Sequence, residues 1–315
     1  MKTKHILVLG GNGFIGVNLV NRLIQNRDTV VIVFGLGVGD NKSVKYVQGD
    51  FNSQQALENV FTTYSIDTVV HLISSTSPAD PDGLGMIHDI NSNLTTTIQL
   101  LNLMKKYQVR NLVFASSGGT VYGVDKNADP EVSFTHSEND FNNPISSHGI
   151  VKLTIEKYIY LYSYHFGIKF LILRISNPFG ENHFSLSHGL INVALKNIIN
   201  GEKIEVWGDG SVVRDYIYIK DCVDIILNLL DRNIVNQIIN VGSGQGYSIS
   251  EVLNVIKQVT GGFDISYYPS RKFDVPKIVL DITKLQSLIP FTPTNILQGV
   301  KNTYEWTVDQ MKKIS

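Results

Sequence analysis

Two side chains with acid–base chemistry stand four positions apart in the segment SHGIVK, where His148 is the second residue and Lys152 the last. Residues i and i+4 share one face of a helix, so both side chains can point into one site. An imidazole titrates near neutrality and can donate or accept a proton, and a neighbouring ammonium lowers the imidazole pKa. The pair therefore indicates proton transfer by a ring whose neutral form is favoured.

A glycine-rich segment near the start of the sequence predicts a dinucleotide site. Its glycines follow a β-branched apolar run and precede an amphipathic helical pattern, which is the context that a dinucleotide fingerprint requires. Glycine permits the tight turn and the close approach to a pyrophosphate, and the helix N-terminus offers N–H groups to the phosphates. The predicted cofactor contacts in this turn are Gly10, Gly13, Phe14, Ile15 and Gly16.

The end of the second predicted strand leaves the choice between NAD and NADP open. A site for NAD is expected to carry an acid there, which binds the ribose hydroxyls, whereas a site for NADP carries an arginine. The strand ends in the residues VFGLG at positions 33–37, which include neither. The cofactor is therefore predicted as NAD or NADP.

The elements that must position these residues alternate between strands and helices in the first half of the chain. Short β-branched apolar runs predict strands, and apolar residues at helical spacing predict the helices between them. This alternation predicts an α/β fold with a Rossmann-type doubly wound parallel sheet. The predicted strands are 5–9, 29–34, 68–73, 111–115 and 170–175, and the predicted helices are 14–25, 94–107 and 148–165.

The composition of the chain changes after the segment NPFG at positions 177–180. Loops with glycine, aspartate and serine become frequent, and prolines cluster late in the chain. We therefore predict a dinucleotide-binding domain over residues 1–176 and a smaller, mainly substrate-binding domain over residues 177–315. Residues from about 215 to 245 are expected to return to the first domain, with 238–241 as a further strand of its sheet.

Bulk properties narrow the function classes. The formal net charge of −1 argues against a nucleic-acid binder. The single cysteine cannot form an internal disulfide, and no stretch approaches the ~20 apolar residues of a membrane helix. These features predict a cytoplasmic protein with no nucleic-acid or membrane partner, and no metal site is predicted.

The glycine fingerprint, the serine-rich strand end FASS at positions 114–117 and the SHGIVK segment occur in this order. Together they resemble the extended short-chain dehydrogenase/reductases that remodel nucleotide sugars, an NAD-dependent epimerase/dehydratase family of the UDP-glucose 4-epimerase type. The resemblance covers nearly the whole chain. It departs from the family at one catalytic position, because His148 stands where the family has tyrosine.

The resemblance implies catalytic roles for three residues. Ser117 would hydrogen-bond the reacting oxygen of the sugar, with Thr120 in reserve because the loop between them is one residue longer than in the best-known epimerases. Lys152 would hold the nicotinamide ribose and lower the pKa of the neighbouring ring. Three roles stay open for His148: it transfers the proton, it only fills space while another group or water does so, or it marks an inactive site.

The resemblance also implies contacts to the cofactor and the substrate. Asp50 would face the adenine of the cofactor, and Tyr122 would line the sugar pocket. Asn177 and Arg214 would contact the substrate diphosphate, and Arg271 would close on the nucleotide and its ribose. The planar fork of arginine suits this task because it can bind phosphate oxygens in pairs.

The function implied is a nucleotide-sugar enzyme that acts at C4 of a hexose, first as a UDP-hexose 4-epimerase with bound NAD. One alternative is an NADPH-dependent 4-ketoreductase of an NDP-4-keto-6-deoxyhexose, which the missing acid after the second strand favours. Another is a catalytically silent nucleotide-sugar-binding homologue. The resemblance further implies a homodimer through a four-helix bundle of helices 94–107 and 148–165, and it suggests polysaccharide synthesis.

Overall fold

The structure is a computed structural model that describes residues 3–75, 84–123, 135–185, 188–270 and 275–314. Its strands are β1 (Lys4–Leu9), β2 (Thr29–Gly35), β3 (Val44–Gln48), β4 (Thr68–His71), β5 (Asn111–Ser117), β6 (Lys169–Ile175), β7 (Asn177–Phe179), β8 (Ile204–Trp207), β9 (Val213–Tyr218), β10 (Gln237–Val241), β11 (Gly246–Ser248), β12 (Ile265–Tyr268) and β13 (Lys277–Ile278). Its α-helices are α1 (Phe14–Leu23), α2 (Gln54–Thr63), α3 (Leu84–Asp89), α4 (Thr96–Lys106), α5 (Ser147–Phe166), α6 (Leu190–Asn200), α7 (Ile219–Asp231), α8 (Ile249–Thr260), α9 (Thr283–Leu288) and α10 (Ile296–Ile314).

Seven strands form the main sheet in the order β10-β6-β5-β4-β1-β2-β3. The pairings of β1 with β2 and β4, of β2 with β3, and of β4 with β5 are parallel. Helices cover both faces of such a sheet, so its central strands are mostly apolar, as in β1, where residues 7–9 are fully buried. The predicted doubly wound parallel sheet is confirmed, and its carboxyl edge is where such folds bind ligands.

Helix α5 carries the SHGIVK segment and is fixed at both ends. Ser146 caps its N-terminus by accepting a hydrogen bond from the Gly149 backbone N–H, and Gly167 ends it with φ +69°. The buried face of α5 includes His148, Lys152 and Glu156, which follow one another at intervals of four residues. The predicted common face of His148 and Lys152 is therefore present.

The structure differs from the predicted elements at helix and strand ends, and it contains β3 and α2, which were not predicted. The helix predicted to begin at Leu94 begins earlier, because a π-helical segment, Ile90–Thr95, leads into α4. Helix α1 ends at Leu23 rather than at residue 25, and β4 ends at His71 rather than at residue 73. The predicted return of residues 238–241 to the main sheet is confirmed, because β10 lies beside β6.

The chain divides into two compact units. The first comprises Met1–Gly123, Asn142–Arg174 and Leu229–Ile239, and the second comprises Val124–Phe141, Ile175–Asn228 and Asn240–Ser315. In the second unit, β9 pairs with β7, β11 and β13. The domain boundary predicted at residue 177 stays a prediction.

A buried carboxylate organises the second unit. Asp215 on β9 is fully buried and accepts hydrogen bonds from the backbone N–H groups of Ser243, Gly244 and Leu280 and from the Ser243 hydroxyl. Burial raises the pKa of Asp215, although these hydrogen bonds oppose the rise. The carboxylate thus ties two loops to the strand that carries Arg214.

Candidate functional site

The glycine-rich turn between β1 and α1 has the shape that a diphosphate requires. Gly10 has φ +81°, and a Cβ atom on Gly16 would lie 2.2 Å from the Gly10 carbonyl oxygen. Helix α1 begins directly after Gly13, and its first turn contains no acid. The turn therefore presents backbone and the positive end of a helix dipole to an anion, which fits the pyrophosphate of a dinucleotide. Phe14 and Ile15 lie in the first turn of α1, as predicted.

The ends of β2 and β3 lie beside this turn. The Phe34 side chain is fully buried in the apolar core, and its carbonyl oxygen accepts a hydrogen bond from the Gly10 N–H at 3.1 Å. Asp50 directly follows the Gly49 that packs on the Phe34 ring, and it is exposed. Its Oδ1 accepts hydrogen bonds from the Asn52 backbone and side chain, each at 2.9 Å. The role of Asp50 toward adenine stays a prediction.

Helix α5 and the end of β5 bring the acid–base residues together. Lys152 is 4% exposed, and its Nζ donates to the Ala115 carbonyl oxygen at 2.8 Å and lies 4.9 Å from the centre of the Phe114 ring. His148 is 8% exposed, one helical turn before Lys152. The predicted Lys152 is therefore a buried cation held by the strand that ends at Ser117, not a lysine on a solvated helix face.

Burial and charge set the protonation of this pair. Burial, and then the charge of Lys152, lower the pKa of His148 to about 4, while the charge of Asp89 opposes the shift. Burial lowers the pKa of Lys152 to about 8, against the opposing charges of Glu156 and Asp89. At neutral pH the site therefore holds a neutral imidazole beside an ammonium ion, as the sequence predicts.

An ion-pair network supports the same face of α5. Glu156 pairs with Arg174 at 2.8 Å, and both side chains are 1% exposed. The Ser116 hydroxyl donates to Glu156 at 2.5 Å, so β5, α5 and β6 are tied at one point. The guanidinium carbon of Arg174 lies 5.0 Å from the centre of the Tyr122 ring. Tyr122 is 1% exposed and packs in the core of the first unit, and its predicted role at the sugar stays untested.

The two predicted hydroxyl groups lie at the end of β5 and in the loop after it, because Ser117 is the last residue of β5 and Thr120 follows in the loop. The Ser117 carbonyl oxygen accepts hydrogen bonds from the Thr120 and Val121 N–H groups, which closes the loop. A Cβ atom on Gly149 would lie 2.6 Å from the Thr120 carbonyl oxygen, so the loop packs against the first turn of α5 beside His148. Among the described residues, the buried Thr120 Oγ1 has no hydrogen-bond partner. A polar atom of this kind beside His148 suits a polar ligand.

Sequence analysis missed a carboxylate at this site. Asp89, the last residue of α3, is 3% exposed and accepts a hydrogen bond from Asn93 Nδ2 at 3.2 Å. Asn93 Oδ1 in turn accepts from the Ser75 N–H at 3.0 Å. The π-helical segment that follows Asp89 is a form often found at functional sites. The polar run DINSN at 89–93 was the available signal, but it lies before the helix predicted from residue 94.

The second unit contains a pocket of about 260 Å³ that is lined by Asn177, Arg214, Trp207 and Glu205, among others. Asn177 Nδ2 donates to the Asp215 carbonyl oxygen at 2.9 Å, and Arg214 Nη1 donates to the Val275 carbonyl oxygen at 2.6 Å. Both residues predicted to contact the diphosphate therefore line one pocket. Arg271, which is predicted to close on the nucleotide and its ribose, lies outside the described residues.

The described residues contain neither a metal-binding cluster nor a membrane-spanning helix. Within the described ranges, no group of three or more histidine, cysteine, aspartate or glutamate side chains could hold a metal ion. No helix in the part of the chain that the structure describes is long and apolar enough to cross a membrane.

Comparison with known proteins gives matches over almost the whole chain. Residues 6–242 match the NAD dependent epimerase/dehydratase family. A putative UDP-glucose 4-epimerase of Methanocaldococcus jannaschii is 32% identical over 311 residues, which cover 96% of this chain and 97% of the relative. The UDP-glucose 4-epimerase of Halalkalibacterium halodurans is 29% identical, with 96% of this chain and 95% of the relative covered.

Solved structures agree with these matches. The crystal structure of UDP-glucose 4-epimerase from Thermotoga maritima with UDP-glucose has a TM-score of 0.88 at 29% identity, over 98% of this chain and 99% of that one. The Thermus thermophilus UDP-glucose 4-epimerase in complex with NAD has a TM-score of 0.86 at 27% identity, over 96% of this chain and 98% of that one.

Proposed function

This chain belongs to the NAD-dependent epimerase/dehydratase family, as its motifs predicted, and we propose that it is a UDP-hexose 4-epimerase. The observation that carries the proposal is the buried pair of His148 and Lys152, one helical turn apart, with Lys152 bound to the end of β5. The near-complete overlap with 4-epimerases supports C4 as the reacting carbon.

The proposed chemistry divides between the cofactor and the chain. A bound nicotinamide ring supplies a hydride acceptor, and then a hydride donor, for C4 of the hexose. One ring nitrogen of His148 takes the proton of the C4 hydroxyl as the carbonyl forms and returns it to the oxygen when C4 is reduced from the other face. Ser117, or Thr120 in its place, orients that oxygen by a hydrogen bond.

Two charges near His148 act on this proton transfer in opposite directions. A neutral imidazole becomes a cation when it accepts the proton, and the buried Lys152 ammonium opposes that change. The carboxylate of Asp89 offsets part of this repulsion, because it favours the charged form of His148. We therefore propose that Asp89 is a positioning residue that stabilises the imidazolium.

The second unit supplies the groups for the nucleotide diphosphate. Asn177 and Arg214 line its pocket, and the Arg214 guanidinium is oriented by the Val275 carbonyl oxygen. A guanidinium held in this way can bind phosphate oxygens with little loss of side-chain entropy. For Arg271 we propose the role that its sequence motif implies, which is to close on the nucleotide and its ribose.

The alternative function is an NADPH-dependent 4-ketoreductase of an NDP-4-keto-6-deoxyhexose. The observation in its favour is the end of β2, which lacks the acid that holds the ribose of a retained NAD. A catalytically silent nucleotide-sugar-binding protein is the third candidate, because His148 replaces the tyrosine of the family. The buried, oriented Lys152 argues against it, since a silent site has no need of a desolvated cation.

In the first experiment, the protein is incubated with UDP-glucose and NAD, and the sugar nucleotide and the cofactor are followed by proton NMR. An epimerase converts the sugar nucleotide to its C4 epimer with no net formation of NADH. Net use of NADPH on a 4-keto-6-deoxy sugar nucleotide, without epimer formation, would establish the reductase instead. Calorimetric binding of UDP-glucose without turnover of either kind would establish the silent protein.

Substitution of His148 tests its role. We expect His148→Phe to lower turnover about 10²–10⁴-fold, because proton transfer by a positioned group contributes that much. His148→Tyr is the matched variant, since it keeps a ring and restores a hydroxyl, and it should retain far more activity than His148→Phe. Unchanged turnover in His148→Phe would contradict the proton-transfer role.

We further propose a homodimer through α4 and α5. Four residues of α5 expose apolar surface, namely Ile150 at 51%, Tyr160 at 63%, Leu161 at 44% and Tyr164 at 78%. Tyr164→Glu is expected to give a monomer by light scattering, whereas Tyr267→Glu, at a residue 59% exposed in the second unit, is expected to leave the dimer intact. A monomeric parent protein would contradict the proposal. The cytoplasmic location and a role in polysaccharide synthesis stay predictions.

A further inference from the structure

The carboxyl end of β2 is unusual for a site that binds NAD. Residues 33–37 contain neither an acid nor an arginine. Phe34, the last apolar residue of β2, turns its side chain into the core and is fully buried. Gly35 follows it, and a Cβ atom built on Gly35 would meet nothing within 4 Å. The position from which a side chain could reach a ribose is therefore open space.

Neutral groups hold the backbone that follows β2. Asn12 Nδ2, in the glycine-rich turn, donates to the Gly37 carbonyl oxygen at 2.6 Å. Gln48 Nε2, at the end of β3, donates to the Leu36 carbonyl oxygen at 2.8 Å. The loop is thereby fixed beside the diphosphate-binding turn by two amide side chains. A ribose bound at this edge would meet peptide groups and amides, and no charged side chain of residues 33–37.

The nearest acids in sequence have other contacts. Asp40 lies near Tyr46, whose pKa is raised first by burial and then by the Asp40 charge. The Tyr46 hydroxyl packs against the backbone at Gly39, where a Cβ atom would lie 2.3 Å from it. Asp50 accepts two hydrogen bonds from Asn52. Neither carboxylate belongs to the segment that ends β2.

We propose that this edge binds NAD(H) and NADP(H) with similar affinity. A carboxylate at the end of β2 favours NAD in two ways, because it accepts hydrogen bonds from the ribose hydroxyls and repels a 2′-phosphate. An arginine favours NADP by pairing with that phosphate. A neutral, open edge at Gly35 does neither, so the dissociation constants of the two cofactors are expected to differ by less than about tenfold.

The inference rests on dinucleotide binding by this family and is independent of the sugar that is turned over. Dissociation constants are therefore measured by calorimetry without any sugar nucleotide, for NAD and NADP, after bound dinucleotide has been exchanged out. Reduced cofactors are compared by nicotinamide fluorescence. A preference of more than about 100-fold for either cofactor would overturn the inference, whether or not the protein proves to be an epimerase.

Gly35→Asp provides the gain-of-function test, because the open space and the extended backbone at this position accept a side chain. We expect NAD to bind about tenfold more tightly and NADP about tenfold more weakly, while Gly35→Asn, of the same shape but without charge, changes the ratio little. Thermal unfolding of both variants checks that they fold. An unchanged ratio in a folded Gly35→Asp protein would show that this position does not face the ribose and would overturn the inference.

The variant Asp40→Asn tests whether a carboxylate outside residues 33–37 binds the ribose. If Asp40→Asn weakened NAD binding about tenfold and left NADP unaffected, Asp40 would be serving as the missing acid, and the proposed neutral edge would be wrong. Equal affinities of the parent and Asp40→Asn proteins support the proposal.

Discussion

The buried neutral ring of His148 allows us to predict how the free energy of unfolding changes at acidic pH. Burial, then the Lys152 charge, lower its pKa from 6.5 to about 4. The folded state therefore binds fewer protons than the unfolded chain between these values. The contribution of His148 to the free energy of unfolding is therefore complete above pH 6.5 and is lost as the pH falls toward about 4.

The size of the effect follows from the two pKa values. Between about pH 7 and about pH 5 the unfolded chain becomes protonated at this position while the folded chain stays neutral, which costs about 2 kcal/mol of unfolding free energy. Burial also lowers the pKa of His71 to about 3 and of His183 to about 4, so the whole protein loses more than this. His148→Gln removes only the His148 contribution, because glutamine is polar and does not titrate.

The assay is urea unfolding of both proteins at about pH 7 and about pH 5, followed by far-ultraviolet circular dichroism. The loss of unfolding free energy between the two pH values should be about 2 kcal/mol smaller in His148→Gln than in the parent. The absolute stability of the variant does not enter this difference. Equal losses in the two proteins would refute the reasoning, since His148 would then titrate alike in the folded and unfolded states.

Three further predictions concern the same unit. Because the pKa of Lys152 is lowered to about 8, dinucleotide affinity in calorimetry should fall above about pH 8, as the ammonium proposed to hold the nicotinamide ribose loses its charge, and Lys152→Met should weaken binding in the same way. Glu156→Gln should destabilise the protein by about 3–5 kcal/mol in urea unfolding, because the buried Arg174 charge loses the carboxylate that balances it; a cost below about 1 kcal/mol would contradict this. Gly16→Ala should abolish dinucleotide binding, because its Cβ would lie 2.2 Å from a carbonyl oxygen of the turn, whereas Gly262→Ala, with nothing within 4 Å, should bind as the parent does.

Local periodicity predicted most of the first unit correctly. Six of the seven strands of the main sheet contain apolar runs, and the glycine-rich turn joins a strand to a helix, so sequence alone was sufficient for these features. Strand β3 was not predicted, because Lys45 and Gln48 interrupt its apolar residues. The common face of His148 and Lys152 follows directly from helical geometry. These features depend on neighbours within about one turn or one strand, which is the range over which a sequence pattern is informative.

Long-range contacts could not be predicted in this way. Glu156 looks like any helical glutamate in the sequence, and only the fold brings Ser116 and Arg174 to it, 40 and 18 residues away. Asp89 was missed for a different reason. It precedes a π-helical segment, whose period differs from the 3.6 residues that the pattern search assumes. Arg271 has a clear motif but lies outside the described residues.

If position 148 is the one where the family has tyrosine, as the sequence motif predicts, His148 reverses the effect of the neighbouring lysine on proton transfer. A phenol becomes an anion when it gives up its proton, so a neighbouring lysine stabilises its reactive form. An imidazole becomes a cation when it accepts a proton, so the same Lys152 disfavours the form that the reaction must create. In the proposed mechanism the lysine therefore helps His148 only by keeping it neutral before reaction, and a carboxylate is needed to stabilise the imidazolium. Asp89, buried and opposing the Lys152 effect on His148, is the residue that can meet that need.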